Sequence, residues 1–292
     1  MMNASRIARW IVAAMIGAVL LFGVVPMCQA YKRRSELLQR EETGRWCGTF
    51  SPFVRRTNYF RTRPMVPQLV HDWVGSDRIR PLEPLTRAIL SLNSDDDARI
   101  LFPETELSQI CVVGDGNHCS DKLLRHLIHL PRLVELQVCN VPITKDGIEL
   151  LSRFPSLKSL YVECSAAPSP GLEQLSQLAQ IEDLRLMDER CPISEEVCRQ
   201  IAAMPKLRSL RLGTSWPTSA GFEALTRSAT IEHISFFWPW DRLTLERARQ
   251  LARMKAIKCI DIGWEMDSEA EDFLKEAGLL EEEVALLGIP RT

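Results

Sequence analysis

Apolar residues recur in a fixed triplet through the second half of the chain. The copies are Leu107/Ile110/Val112, Leu133/Leu136/Val138, Leu157/Leu160/Val162, Ile181/Leu184/Leu186, Leu207/Leu210/Leu212, Ile231/Ile234/Phe236 and Ile257/Ile260/Ile262. Successive copies lie 26, 24, 24, 26, 24 and 26 residues apart, and a near-constant period of this length marks a solenoid of stacked units. The last two positions of each triplet alternate with polar residues, which predicts a short strand with one buried face. Six or eight residues further on stand Ser120, Thr144, Pro168, Ser194, Thr218, Thr244 and Ser268. Ser and Thr accept hydrogen bonds from the free N–H groups of a first helical turn; at Pro168 the neighbouring Ser169 takes that role. Apolar residues at helical spacing follow, as in Ile148, Leu151 and Phe154, or Leu172, Leu175 and Leu178.

Neither a one-faced strand nor a one-faced helix buries its apolar side alone. The expectation is an α/β solenoid of about seven strand–helix repeats over residues 107–280, with a parallel sheet on one side and helices on the other. Because a helix is wider than a strand, the stack curves with the strands inside. Residues 67–106 are expected to cap the first open core face. Leu69, Val70, Trp73 and Val74 suggest one helical stretch there, and Pro81–Leu92 a second, followed by a solvated turn at Asp95-Asp96-Asp97. Residues 281–292, with Glu281, Glu282 and Glu283, form a solvated C-terminal tail.

The N-terminal region has a different character. After a short tail (residues 1–9), no charge occurs between Arg9 and Lys32, an interval of 22 residues. At about 1.5 Å per residue a helix of this length spans roughly 30 Å, the thickness of a bilayer core. Residues 10–28 are therefore expected to be a single transmembrane helix; a cleaved signal peptide ending near Cys28-Gln29-Ala30 is the alternative. Lys32, Arg33, Arg34 and Arg40 follow the segment, against Arg6 and Arg9 before it, so the positive-inside rule favours a cytoplasmic body.

Charge separates along the chain. Nine Lys/Arg face three acids between Tyr31 and Val66, whereas 25 basic residues face 35 acidic ones from Pro67 onward. The basic linker, residues 29–66, suits an anionic lipid surface. The acidic body argues against nucleic acid, which requires clustered positive charge. Nine cysteines are scattered without the spacing of a disulfide framework or a zinc site.

Three helix starts share further residues: Thr144-Lys-Asp-Gly-Ile-Glu-Leu-Leu, Pro168-Ser-Pro-Gly-Leu-Glu-Gln-Leu and Thr218-Ser-Ala-Gly-Phe-Glu-Ala-Leu. Together with the Leu-x-x-Leu-x-Leu strands, they resemble the leucine-rich repeat family of ribonuclease-inhibitor-like type, in particular bacterial proteins with one N-terminal membrane helix. The sequence departs from that pattern at Val141, where Asn, Cys or Thr is usual. The resemblance implies recognition of other proteins and names no ligand.

Two surfaces are candidates for such recognition. Residues between the buried strand positions point to the concave face, and Tyr161, Arg185, Arg211, His233 and Phe237 are of the types that anchor interfaces. Arg185 and Arg211 are expected side by side, with Asp183 available to one of them. The second candidate is a tryptophan-rich loop edge of Trp216, Trp238, Trp240 and Trp264, either an exposed patch or a cluster packed on itself and on Pro217 and Pro239.

Catalytic chemistry finds no footing. Gly114-Asp-Gly116 lacks the third glycine of a nucleotide loop. His126 and His129 flank buried leucines and read as a solvated helix face rather than zinc ligands, and no nucleophile elbow is present. No cofactor, metal, small-molecule substrate or enzymatic activity is expected. The expectation is a membrane-anchored binding module for a protein partner; the alternative is an architectural or self-associating membrane-surface protein without a specific ligand.

Overall fold

The computed structural model describes residues 31–32, 59–62, 85–101, 104–163, 169–187, 193–213, 216–237, 242–262 and 266–280. The chain divides into two compact units, residues 1–89 and 90–292. The expected membrane segment, residues 10–28, lies outside the described residues. Among those that are described, no helix is long and apolar enough to cross a membrane.

In the first unit, β1 (Tyr59–Thr62) pairs antiparallel with β2 (Leu85–Ser91). This corrects the helix expected over Pro81–Leu92. The cause is a bulge: Arg61 pairs with Arg87 but Thr62 pairs with Leu85, so Thr86 is skipped. An extra residue in one strand breaks the period of two. Leu85 and Ala88, three apart, then both lie buried, and the spacing imitates a helix.

The second unit carries the repeat. Strands β3 (Gln109–Val113), β4 (Glu135–Cys139), β5 (Ser159–Glu163), β6 (Asp183–Met187), β7 (Ser209–Gly213), β8 (His233–Phe237) and β9 (Cys259–Ile262) form parallel neighbours in chain order. Ile110, Leu136, Leu160, Leu184, Leu210, Ile234 and Ile260 pair in direct register and are fully buried. Insertions of two residues in the longer repeats are thus absorbed outside the strands. At the C-terminal end, the Ile260 N–H donates to the Leu279 carbonyl, which occupies hydrogen-bonding groups that a last strand would otherwise leave open.

Six α-helices run between or after these strands: α1 (Leu124–Leu127), α2 (Lys145–Ser152), α3 (Glu195–Ala202), α4 (Ser219–Leu225), α5 (Leu245–Ala252) and α6 (Ser268–Glu276). Thr144, Ser194, Thr218 and Thr244 accept from the backbone N–H three residues on, and Ser120 from Lys122 N–H. Two sites differ from expectation. Ser169 precedes a 3-10 segment (Pro170–Gln177) and makes no cap bond; its hydroxyl accepts from Ile143 N–H in the preceding repeat. The last helix is capped at Asp267, not Ser268. A bridge between Leu243 and Met266, with Asp267 N–H donating to Leu243 O, shortens that interval by one residue and puts Asp267 opposite Thr244.

The shared glycine of the helix starts has a steric cause. A Cβ on Gly147 would stand 2.3 Å from the Asp121 carboxylate, and one on Gly171 would stand 2.3 Å from the Thr144 carbonyl oxygen. Asp121 is buried, and its Oδ2 accepts from Thr144 N–H (2.7 Å) and Oγ1 (2.6 Å). One repeat earlier, Asp95 accepts from Ser120 N–H and Oγ, both at 2.6 Å. The solvated turn expected at Asp95–Asp97 is therefore corrected: these residues open a 3-10 helix (Asp95–Leu101), and Asp97 Oδ2 accepts from Asn93 and Ser94 N–H. Val141 is buried, its Cγ2 closely facing Gly114.

Candidate functional site

The open face of β3–β9 presents side chains in rows, because successive residues of a strand point to opposite sides. Register fixes the middle row as Cys111, Gln137, Tyr161, Arg185, Arg211, Ser235 and Asp261. The row at the strand starts includes Ser159, Asp183, Ser209 and His233. The row at the strand ends includes Cys139, Glu163, Met187, Gly213 and Phe237.

Tyr161, Arg185 and Arg211 are thus consecutive neighbours. His233 is exposed at the start of β8, and Phe237 is half-buried at its end. The Tyr161 hydroxyl donates to Glu163 at 3.0 Å, and burial first, then the Glu163 charge, push the phenol above its ordinary range. Tyr161 is therefore held as a neutral phenol.

Asp183 pairs with Arg185. Its Oδ2 accepts from Arg185 Nε at 3.2 Å and Nη2 at 3.1 Å, and also from Ser159 Oγ at 3.1 Å. Asp183 Oδ1 is buried and accepts nothing. Among the described residues, Arg211 has neither an ion pair nor a hydrogen bond to its guanidinium. The two arginines occupy equivalent positions, but only one has a counter-ion.

Over β3–β5 the same face is acidic and already hydrogen-bonded. Gln109 and Gln137 donate to the two oxygens of Glu135. On this face the Cys111 thiol beside Cys139, then burial and nearby Glu163, push the Cys139 thiol up. Their signal was available: they lie 28 residues apart, one repeat plus two, and so sit diagonally on adjacent strands.

The residues just before the strands form an alternating charge ladder. Lys158 pairs with Glu182 at 2.9 Å, and Lys258 with Glu232 at 2.8 Å. These lysines, with Arg208 between the two acids, hold both carboxyls below the usual range. Each acid of the ladder has a lysine partner, and Arg208 between them makes three cations to two acids.

The tryptophan edge changes character. Trp216 is only 8% exposed. Its ring centroid lies 4.5 Å from Phe236 and 5.9 Å from Phe222, with the Arg247 guanidinium 5.2 Å above it. It belongs to the interior and offers no docking surface. Trp238, Trp240 and Trp264 lie outside the described residues.

The remaining motifs are structural. Asp115 accepts from Asn117 and His118 N–H and contacts His118 Nδ1 at 2.5 Å, closing a turn in which Gly116 has φ 82°. These bonds, the His118 side chain first, hold its carboxyl well below the usual range. His126 lies 3.5 Å from Asp96. Among the described residues no group of three or more His, Cys, Asp or Glu is placed to hold a metal.

These observations define a class. Strand–helix units with leucines inside and a parallel sheet form a leucine-rich-repeat-type architecture. No family model matches the chain, and no curated protein matches it. Among solved structures, the crystal structure of a TLR13–ssRNA13 complex is similar with a TM-score of 0.42 and 16% sequence identity, over 64% of this chain and 30% of that chain. This chain thus spans less than a third of that one.

Proposed function

We propose that the chain is a membrane-anchored protein-recognition module of ribonuclease-inhibitor-like repeats, reading its partner through the concave face of β5–β8. The observation that carries this is the register Tyr161–Arg185–Arg211. It places an aromatic and two arginines, types that dominate interface energetics, in one row on a face whose other side is fully buried leucine. A row on adjacent strands is also rigid, which lowers the ordering cost of binding. The 22 uncharged residues before Lys32 supply the anchor, and the basic linker after them suits anionic headgroups. Burial of Trp216 takes that one residue out of the proposed contact surface. No catalytic role is proposed.

The test is site-specific photo-crosslinking in the native membrane. A benzophenone amino acid is placed at Tyr161 or Ser235 on the concave face, and at Glu149 or Gln177 on the helix side. A discrete adduct from the concave positions alone supports the proposal. Adducts of equal yield from both sides, or none from the concave positions, defeat it.

A further inference from the structure

We infer that Cys111 and Cys139, on adjacent strands of the open face, form a two-coordinate site for a soft monovalent metal ion of the Cu(I) class. This goes beyond the protein-recognition reading and does not depend on it.

Cys111 pairs in register with Gln137, and Cys139 with Val113, so the two cysteines stand diagonally across β3 and β4. Both are free thiols; Cys139 is buried and Cys111 half-buried, and the two side chains lie beside each other. Strands about 4.8 Å apart, with a rise of about 3.3 Å per residue, put the two Cα atoms roughly 8 Å apart. That exceeds the separation of about 7 Å beyond which a disulfide needs backbone movement. Two thiols leaning together across such a diagonal fit a longer bridge. A linear sulfur–metal–sulfur unit spans roughly 4.6 Å for metal–sulfur bonds of about 2.3 Å.

The surroundings select both the sign and the softness of the ion. Strands β3, β4 and β5 carry two carboxylates, Glu135 and Glu163, and no cationic side chain, which favours a cation over an anion. The carboxylates are already engaged. Glu135 accepts from Gln109 at 3.1 Å and from Gln137 at 2.6 Å, and Glu163 accepts from the Tyr161 hydroxyl at 3.0 Å. A hard ion such as calcium takes about six to eight oxygen ligands and would have to break these bonds. The two sulfurs remain, and soft sulfur donors select Cu(I). Among the described residues no group of three or more His, Cys, Asp or Glu is placed to hold a metal, so the pair suits an ion satisfied by two ligands rather than tetrahedral zinc. Binding replaces two S–H bonds by two S–Cu bonds and releases two protons to solvent, with no change of oxidation state.

The experiment uses the full chain in detergent, kept anaerobic with a thiol-free reductant and titrated with Cu(I) against the chelator bathocuproine disulfonate. Wild type should retain one equivalent more than Cys111→Ser, Cys139→Ser or the double variant. These three should be alike, because a two-coordinate site fails when either sulfur is lost; the other cysteines contribute equally to all four proteins. Cys111→Met keeps a soft thioether at the half-buried position and should retain more copper than Cys111→Ser. Circular dichroism spectra should match wild type throughout; if that of Cys139→Ser does not, the comparison of Cys111→Ser with Cys111→Met decides alone. Equal retention by wild type and the serine variants overturns the inference. So does a double variant that loses twice what each single variant loses, since the cysteines would then bind separately. Retention by Cys111→Met no greater than by Cys111→Ser also overturns it.

Discussion

Two polar clusters in the repeat body contain a carboxylate that meets a neighbouring repeat, and they differ in how completely they are satisfied. At the helix starts, Asp121 is buried, accepts from both the N–H and the hydroxyl of Thr144, and presses against Gly147 where a Cβ has no room. On the strand face, Asp183 fills one oxygen and leaves the other empty, beside an arginine with a partner and one without. Buried polar groups in folded proteins are hydrogen-bonded as a rule. The first cluster obeys that rule and is scaffold. The second departs from it at Asp183 Oδ1, which is buried and accepts no hydrogen bond. Completeness of hydrogen bonding thus differs between the helix-start corner and the strand face of the same repeats.

The largest expected effect tests which side of that division Trp216 occupies. With its ring packed on Phe222 and Phe236, Trp216→Ala should cost about 3–5 kcal/mol of unfolding free energy in urea titration, the range for truncating a buried aromatic. A loss near zero would return Trp216 to the surface. Next comes Asp121→Ala, which removes a buried carboxylate and the two bonds it accepts from Thr144, and should cost about 1–2 kcal/mol. Gly147→Ala should also destabilise, because its methyl meets the Asp121 carboxylate. In the double variant the two costs should add to less than their sum, since one change vacates the space the other needs. Strict additivity would break the claim that this corner is a single packed unit.

The strand interval was the most legible part of the fold. The 24- and 26-residue spacings of the apolar triplets equal the pairing offsets of β3–β9, because burial of one strand face admits no slip in register. What escaped were features in which two segments meet. β2 read as a helix because a bulge spaced Leu85 and Ala88 by three. The last cap fell on Asp267 because the Leu243–Met266 bridge removed a residue from the interval. Asp95 looked like a solvated acid, although it sits at a helix start from which the neighbouring cap Ser120 is within reach. Alternation put Arg185 and Arg211 together, but which of them Asp183 would pair with depended on side-chain geometry that pattern does not encode. Trp216 sits in a loop, where no period says inward or outward.

Smaller effects should grade the caps. Thr218 accepts from Gly221 N–H at 3.1 Å, whereas Asp267 makes no side-chain bond to its helix. Thr218→Ala should therefore cost about 1 kcal/mol, and Asp267→Ala only a few tenths. Equal losses would mean that side-chain capping is not what starts these helices.

The smallest effect falls on the arginine row and sharpens the comparison most. Arg185 and Asp183 are partly exposed, at 32% and 22% of their side chains, so solvent screening limits their pair to about 0.5–1 kcal/mol. Arg185→Gln should lower stability by that amount, since it strips two donors from an oxygen that already has an empty twin. Arg211→Gln, one strand away in the same row, removes no bond made within the described body. It relieves a like-charge pairing, so its unfolding free energy should stay within about 0.5 kcal/mol of wild type or rise slightly. The sign is the informative part. A rise with added salt having little further effect would mean that the sheet carries Arg211 as an uncompensated charge, retained at the expense of the fold. A loss as large as that of Arg185→Gln would mean that Arg211 has an internal partner after all, and the row would then be as complete as the Asp121 corner.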